Sequence, residues 1–589
     1  MFLFEHAVRR LSFGSSVAVF PVLPPLMIKS LSLAGVWRVC LDGAYSADVP
    51  PPDQAFVDEI KLPATTEAAG LGFSQESRVQ SREPSDKQDS QPSTLNSQLH
   101  PSGSGLSALD SRLSPPSHRT DRLTAVRRIE SPVWYQREIE IPADWSDCEV
   151  SLFLERTKWC RVFLDGRPLG DDPILCAPHQ RQLGKLTPGS HRLTLCVDNS
   201  RRPVPGDNHQ SSEHTQGNWN GLLGRLELRA TGAARIEYVT AIPDVAGRAF
   251  QFKIQLSGLD VVKNVGRGRR TPPSVGKQAG YGDPALQPNQ GEASDGKIDS
   301  PASLQLSIQA ESYNHTGTPH RPAPVSLTLS ARPCVIEVTV PLGAEARLWD
   351  EFFPALYRIT ITLESPRGTD EHMLTTGLRE FRARGTQFAI NGRTTFLRGE
   401  VNCCVFPLTG HPPMEVDGWR RYYRTLQEYG INHIRFHSWT PPDAAFTAAD
   451  ELGLYVQTEL PFWGEWNENV RQSLQPEGEA ILRAFGHHPS FVLLSLGNEH
   501  RGDRAPRARL VAHLHQLDPH RLYCEGANND LETPSLAPAD DCWITVRVPD
   551  PAHAGRYTNV RGCFATNDGA NGHLQIGLGG TRTDFRKAS

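Results

Sequence analysis

The chain has 589 residues, enough for three or four folded units at ~100 to 200 residues each. Lys and Arg total 61 and Asp and Glu 66, a net charge of −5, which excludes a nucleic-acid binder that works through a basic field. Apolar residues make up 38%, and no stretch reaches the ~18 uninterrupted apolar residues of a membrane helix, so insertion by a helix is excluded.

Residues 1–30 read as an N-terminal extension. Arg9 and Arg10 precede a mildly apolar run, but Pro21, Pro24 and Pro25 interrupt it. That makes a poor signal peptide, and an upstream extension before an internal start at Met27 is the other reading. The 11 cysteines form no C-x-x-C, and Cys403 and Cys404 are adjacent, so neither a zinc framework nor a disulfide scaffold is expected, and no metal or cofactor. Free thiols fit a reducing compartment, which favours the cytoplasm slightly over export.

From Leu33, LAGVWRVCLDG alternates apolar residues and then turns, the period of a half-buried strand. Residues 74–128 are dense in Ser, Gln, Pro and charge, too polar to offset chain entropy by burial, and read as a disordered insertion. Alternation resumes at Val133 with WYQREIEI, VSLFLER, WCRVFLDGRPLG and HRLTLCVDN, short strands separated by turn residues, as in a β-sandwich. The first unit therefore spans 31–230. A second β unit, 231–384, holds IEYVTAIPDV, FQFKIQLSG, SLQLSIQAE, CVIEVTVPL and LYRITITLE, with another insertion at 262–302 expected to be disordered. Its ~100 remaining residues match an immunoglobulin-like sandwich. The 49 glycines and 47 prolines fit this turn-rich reading.

After Gly385 strands alternate with helices. TTFLRGEVN, INHIRFHS, LYVQTEL, FVLLSLGNE, RLYCEGAN and CWITVRV are interleaved with helices expected at 415–429, 442–452, 476–486 and 504–516. Such a repeat implies a parallel sheet with right-handed crossovers, doubly wound or closed into a barrel. Polar residues gather at the strand ends: Arg398, Glu400 and Asn402; Arg435 and His437; Glu459; Asn498 and Glu499; Glu525 and Asn528; Arg547. In a barrel those positions face the catalytic mouth.

Asn498 and Glu499 end the apolar strand FVLLSLG. A carboxyl at the rim of such a core loses hydration, which favours the protonated form that a leaving-group proton donor needs. Capping of the next helix is the structural alternative. Arg435 and His437, two apart on one strand, share a face and can converge on a ligand, or else satisfy local ion pairs. Trp439, Trp463 and Trp466 follow strand ends, where an exposed ring suits the apolar face of a sugar, although loop tryptophans also serve as packing caps. No phosphate-loop, dinucleotide, zincin or G-x-S-x-G motif is present.

NWNGLLGRLEL, LWDEFFPALYRITITL, FAINGRTTFLRGEVN, INHIRFHSWTPP, LYVQTELPFW and HHPSFVLLSLGNEH, in that order, resemble glycoside hydrolase family 2, the family of β-galactosidases, β-glucuronidases and β-mannosidases. The resemblance implies a jelly-roll sugar-binding domain, an immunoglobulin-like sandwich and a (β/α)8 TIM barrel, with retaining hydrolysis of terminal β-linked sugars by two glutamates. It implies Glu499 as general acid/base and Asn498 as a contact to the sugar 2-hydroxyl. Arg435 and His437 match positions lining the subsite of the non-reducing sugar, and Glu459 matches a glutamate ending the third strand. The expected partner is a carbohydrate substrate, with a homo-oligomer left open and neither nucleic acid nor membrane.

The family places its nucleophile after a later strand, near the seventh, and only six are countable here. GHLQIGLGGTRTDFRKAS reads as the loop and helix after the sixth, and 385–589 is shorter than the ~250 residues of a complete barrel. The expectation is an incomplete barrel whose nucleophile is unknown and whose hydrolytic activity is impaired. A non-catalytic carbohydrate-binding protein, holding glycans through aromatics such as Trp219, or a decayed fragment are the alternatives.

Overall fold

A computed structural model describes residues 29–71, 131–258 and 304–549, with short gaps at 213–214, 216, 233, 315–318, 330–334, 366–367, 385–386 and 531–535. It adds short strand segments between 73 and 129 and between 557 and 576. The extension before Lys29, the insertion at 262–302 and most of 74–128 lie outside the described residues. Among the described residues no helix is long and apolar enough to cross a membrane, and nine cysteines are free.

The first β unit is two antiparallel sheets of six and five strands. Their longest pairing joins Pro132–Ile141 to Gly189–Asp198 over ten residues. Trp37, Val39, Tyr135, Leu152, Leu195 and Leu228 fill the space between the sheets. The second unit has sheets of three and four strands. Along Ala249–Ser257, Phe250, Phe252, Ile254 and Leu256 are buried while Gln251 and Lys253 are exposed. That strict period of two is what sets the strand's register against its core.

The third unit opens with an antiparallel hairpin sheet at 381–395. Five parallel strands follow in the order Gly399–Asn402, His433–Phe436, Tyr455–Glu459, Phe491–Ser495 and Leu522–Cys524. Helices α1 (Val416–Glu428), α2 (Asp443–Leu452), α3 (Glu468–Phe485) and α4 (Arg504–Leu517) connect them. TTFLRGEVN is thus two elements, since Arg393–Thr395 belongs to the hairpin sheet.

α3 begins eight residues before the expected start at Pro476, because Asn467 accepts from the Val470 amide at 3.1 Å and caps it there. Pro476 sits inside the helix, a placement that ordinarily costs ~3 kcal/mol. Buried Val470 and Leu474 on one side, and Ile481, Leu482 and Phe485 on the other, anchor both halves and carry the helix through.

Past short breaks, three of the strands resume in a second parallel sheet, as Trp463–Trp466, Asn498–Gly502 and Ala527–Asp530, joined by Cys542–Pro549. Tyr557–Thr566 then pairs antiparallel with Cys542–Pro549, and Leu574–Ile576 antiparallel with Tyr557–Thr566. The helix expected within 572–589 is therefore corrected at Leu574–Ile576, which is strand; 577–589 lie outside the described residues. The physical reason is edge chemistry. The outer parallel strand presents unpaired amides and carbonyls, which the Tyr557–Thr566 backbone satisfies, and Leu574–Ile576 then pairs with the edge that this strand leaves open.

Two buried hydrogen-bonded contacts help to fasten the first unit to the third. Glu477 on α3 accepts from the amides of Leu175 and Cys176 at 2.8 and 2.7 Å, and burial pushes its carboxyl up to about 7. Arg156 donates to the Thr440 carbonyl at 2.8 Å, just beyond the second parallel strand.

His488 ties α2 to the fourth strand, with Nδ1 2.5 Å from Asp450 and Nε2 3.3 Å from Asp443. Burial opposes its charge, but the carboxylates of Asp450 and Asp443 outweigh burial and hold it up at about 9. Because the folded value lies above the unfolded one, this stabilisation is complete below about 6.5 and is lost as pH rises through about 9. It amounts to about 3 kcal/mol at most. Lys158, driven down to about 7 by burial, has the opposite sign over the same alkaline range, so the quantity to read is a difference. The stability gap between the chain and His488→Gln is expected to be widest at pH 6 and to close towards pH 10 in urea unfolding. A pH-independent gap would remove the charge from His488.

Candidate active site

The breaks between the two parallel sheets build the site. Cys404, Ser438, Glu499 and Asn528 all have φ between 51° and 58°, at φ 57°, 53°, 52° and 57°. Each sits at or just beyond the carboxyl end of a parallel strand. A side chain in this left-handed region costs of order 1–2 kcal/mol, and such strain concentrates where side-chain position matters. Glycine is used instead where backbone must pass backbone. A Cβ on Gly497 would lie 2.0 Å from the Phe462 carbonyl oxygen, which leaves only glycine able to approach it.

Arg435 is the hub. Its Nε donates to Glu459 Oε1 at 2.7 Å and its Nη2 to Asn498 Oδ1 at 2.8 Å. Glu459 is fully buried, and its other oxygen accepts from the Ser438 amide at 2.7 Å. A desolvated carboxylate with this set of donors is held rigidly, which in turn fixes the guanidinium and the Asn498 side chain. Glu499, half-buried on the next residue, accepts from Asn528 Nδ2 at 3.0 Å. His437 follows the same strand as Arg435 and feels the charges of Glu459, Arg435 and Glu499, while burial pushes it below its ordinary value. A neutral imidazole there offers both a donor and an acceptor.

The first β unit reaches into this site. The residues at 207–210 run along the third unit: Asp207 and Trp463 exchange backbone hydrogen bonds, and the His209 amide donates to the Ser438 carbonyl at 3.3 Å. The His209 ring lies edge-on to His437 with centroids 4.8 Å apart and 5.1 Å from the Trp463 ring. Trp463 is half-buried and forms one wall of the cluster. Arg435, His437, Glu459, Trp463, Asn498 and Glu499 are thus brought together.

Other expectations are corrected. Trp439 and Trp466 are buried rather than exposed: Trp439 donates to the Asn402 carbonyl at 3.0 Å, and Trp466 packs on Phe462 and His500. Trp219 is also buried, with the Lys158 ammonium 4.3 Å above its ring. Each is absorbed into the packing between elements and presents no face to a sugar. Glu525 is consumed by Arg504 and Arg507, and Asp541 accepts from the Tyr523 amide.

No protein-family profile matches the chain. A Formosa agariphila relative is 32% identical over 214 residues, which is 34% of this chain and 20% of that protein. The β-galactosidase of Thermoanaerobacterium thermosulfurigenes is 28% identical over 183 residues, 30% of this chain and 25% of that enzyme. A crystal structure of a GH2 β-galacturonidase from Eisenbergiella tayi, bound to galacturonate, superposes with a TM-score of 0.56 at 16% identity. That superposition covers 85% of this chain and 71% of the other.

The chain is thus similar in sequence to a β-galactosidase over 30% of its length, and in fold to a GH2 enzyme. Its matches span only a fifth to a quarter of the curated relatives' length, 20% and 25% for the two above. Within this site, the residue that sequence reading left out altogether is His209. It lies in a turn-rich loop of a β unit, far from His437 along the chain, and no local pattern marks it. Asn528 carried a signal, being polar at a strand end, but its role as the partner of Glu499 depends on two loops meeting.

Proposed function

We propose that this chain acts on terminal β-linked sugars as a retaining, β-galactosidase-type hydrolase, with Glu499 as proton donor. On this reading the parallel strands are an arc of a (β/α)8 barrel, the first β unit is a jelly-roll sugar-binding domain and the second an immunoglobulin-like sandwich. The observation that carries it is the placement of Glu499: a carboxyl on a left-handed residue at a strand end, steadied by Asn528 and next to an asparagine locked by Arg435.

Asn498 would meet the sugar 2-hydroxyl, His437 a further hydroxyl, and Trp463 the apolar ring face. The Arg435 charge is already matched by Glu459, so this guanidinium is not left over to pair with a sugar carboxylate. That balance supports a neutral sugar such as galactose over a uronic acid. A retaining mechanism needs a second carboxyl ~5 to 5.5 Å from the first. Glu459 is engaged by Arg435 and the Ser438 amide and Glu525 by Arg504 and Arg507, so the nucleophile stays unassigned among the described residues and turnover by the chain is expected to be weak.

The direct test is calorimetric titration with galactose-configured ligands beside assays on chromogenic β-galactosides and β-glucuronides. Trp463→Ala is expected to weaken galactoside binding about 10-fold, the worth of one stacked ring at ~1.4 kcal/mol. Preference for glucuronide, or binding indifferent to Trp463, would count against this reading.

A further inference from the structure

We propose that His209, Cys403 and His437 hold a borderline-soft divalent cation of the zinc class at the rim of this site. One ligand atom from each lies within 4.8 Å of the other two. A tetrahedral zinc with bonds of ~2.0 to 2.3 Å wants its ligand atoms about 3.3 to 3.8 Å apart. Side-chain rotation closes the difference, since all three residues are only half-buried.

The backbones beneath are already tied. The His437 amide donates to the Asn402 carbonyl at 3.0 Å, the residue before Cys403, and the His209 amide to the carbonyl of Ser438, the residue after His437. The Asn402 side chain in turn accepts from the Cys404 amide at 2.9 Å. Thus three chain segments from two units present two imidazoles and a thiol over one point, on a frame that folding sets before any cation arrives. His437 Nδ1 is buried without a hydrogen-bond partner, an open position on one of the three.

Two imidazoles and one thiolate form a donor set that suits zinc or cobalt(II) and is poor for magnesium or calcium, which take oxygen ligands. Three protein ligands leave a fourth position open, as catalytic rather than closed structural sites do. Cys403 also lines an open cavity of about 370 Å³ with Glu400, Asn402 and Tyr422, which gives solvent an approach to the thiol. Binding replaces the thiol proton, which leaves with solvent as the S–metal bond forms.

The assignment goes beyond the sugar reading, and its test needs no sugar. The chain is titrated with cobalt(II) chloride and followed by absorbance, then back-titrated with zinc chloride. One equivalent is expected to bind with a near-ultraviolet thiolate-to-cobalt charge-transfer band, which zinc displaces. Cys403→Ser should abolish the band, and His209→Ala should weaken cobalt binding at least 10-fold, both with unchanged thermal unfolding of the metal-free chain. Cys148→Ser, a buried sandwich thiol, should leave band and affinity alone. The proposal is overturned if no band appears, if it survives Cys403→Ser, or if His209→Ala binds as the parent does.

Discussion

Replacing Glu499 with glutamine is expected to cut hydrolysis of a β-galactoside carrying an unactivated leaving group by ~10²- to 10⁴-fold, the usual worth of a positioned proton donor. The amide keeps the size of the side chain and can still meet Asn528, so folding and ground-state binding should change little. A nitrophenyl galactoside, whose leaving group departs without protonation, should suffer much less in its first step. That contrast between leaving groups separates a proton donor from a residue that only shapes the pocket. Because turnover is expected to be weak, a second readout is useful. β-D-Galactosylamine places a basic nitrogen where the glycosidic oxygen would sit, and a charged hydrogen bond there contributes ~1.5 to 3 kcal/mol. Glu499→Gln should therefore weaken its binding by roughly 10- to 100-fold. Unchanged turnover and unchanged amine binding would take Glu499 out of the chemistry.

Arg435→Met is expected to be the most damaging single change to the site's architecture. It leaves Glu459 fully buried with only backbone and amide donors, and it frees Asn498. Stranding one member of a buried pair costs ~3 to 5 kcal/mol, mostly the desolvation of the charge left behind. The pair itself need not be a net stabiliser, because both ions were stripped of water to form it. Arg435→Met combined with Glu459→Leu should therefore recover most of the loss in urea unfolding while remaining unable to bind a galactoside. A single variant within 1 kcal/mol of the parent would mean that the Arg435–Glu459 contact is loose and solvent-screened.

The two predictions exploit different links in the same structure. Glu499 sits where the chain bends through a left-handed residue, and its side chain is available for chemistry. Glu459 ends the neighbouring strand with the same residue type, yet it is turned inward and saturated. Two glutamates at equivalent strand ends thus have unlike duties, and only their surroundings distinguish them.

Much of the scaffold was readable from residue order alone. The period of two in FQFKIQL and the alternation of apolar strands with helices arise from neighbours a few residues apart, so local pattern suffices to expose them. The Arg435, Glu459, Asn498 and Glu499 positions were readable for the same reason, as polar residues ending apolar strands. Which of them meet was decided only in three dimensions. Trp439, Trp466 and Trp219 could have been sugar platforms or packing caps, and the crowding of adjacent elements made them caps. His209 came from another unit, and Leu574–Ile576, in a stretch that reads as loop and helix, pairs antiparallel with Tyr557–Thr566. Local sequence determines period and polarity because those are nearest-neighbour properties. Partnership across units is set by how whole surfaces exclude water from one another, which no short stretch of chain contains.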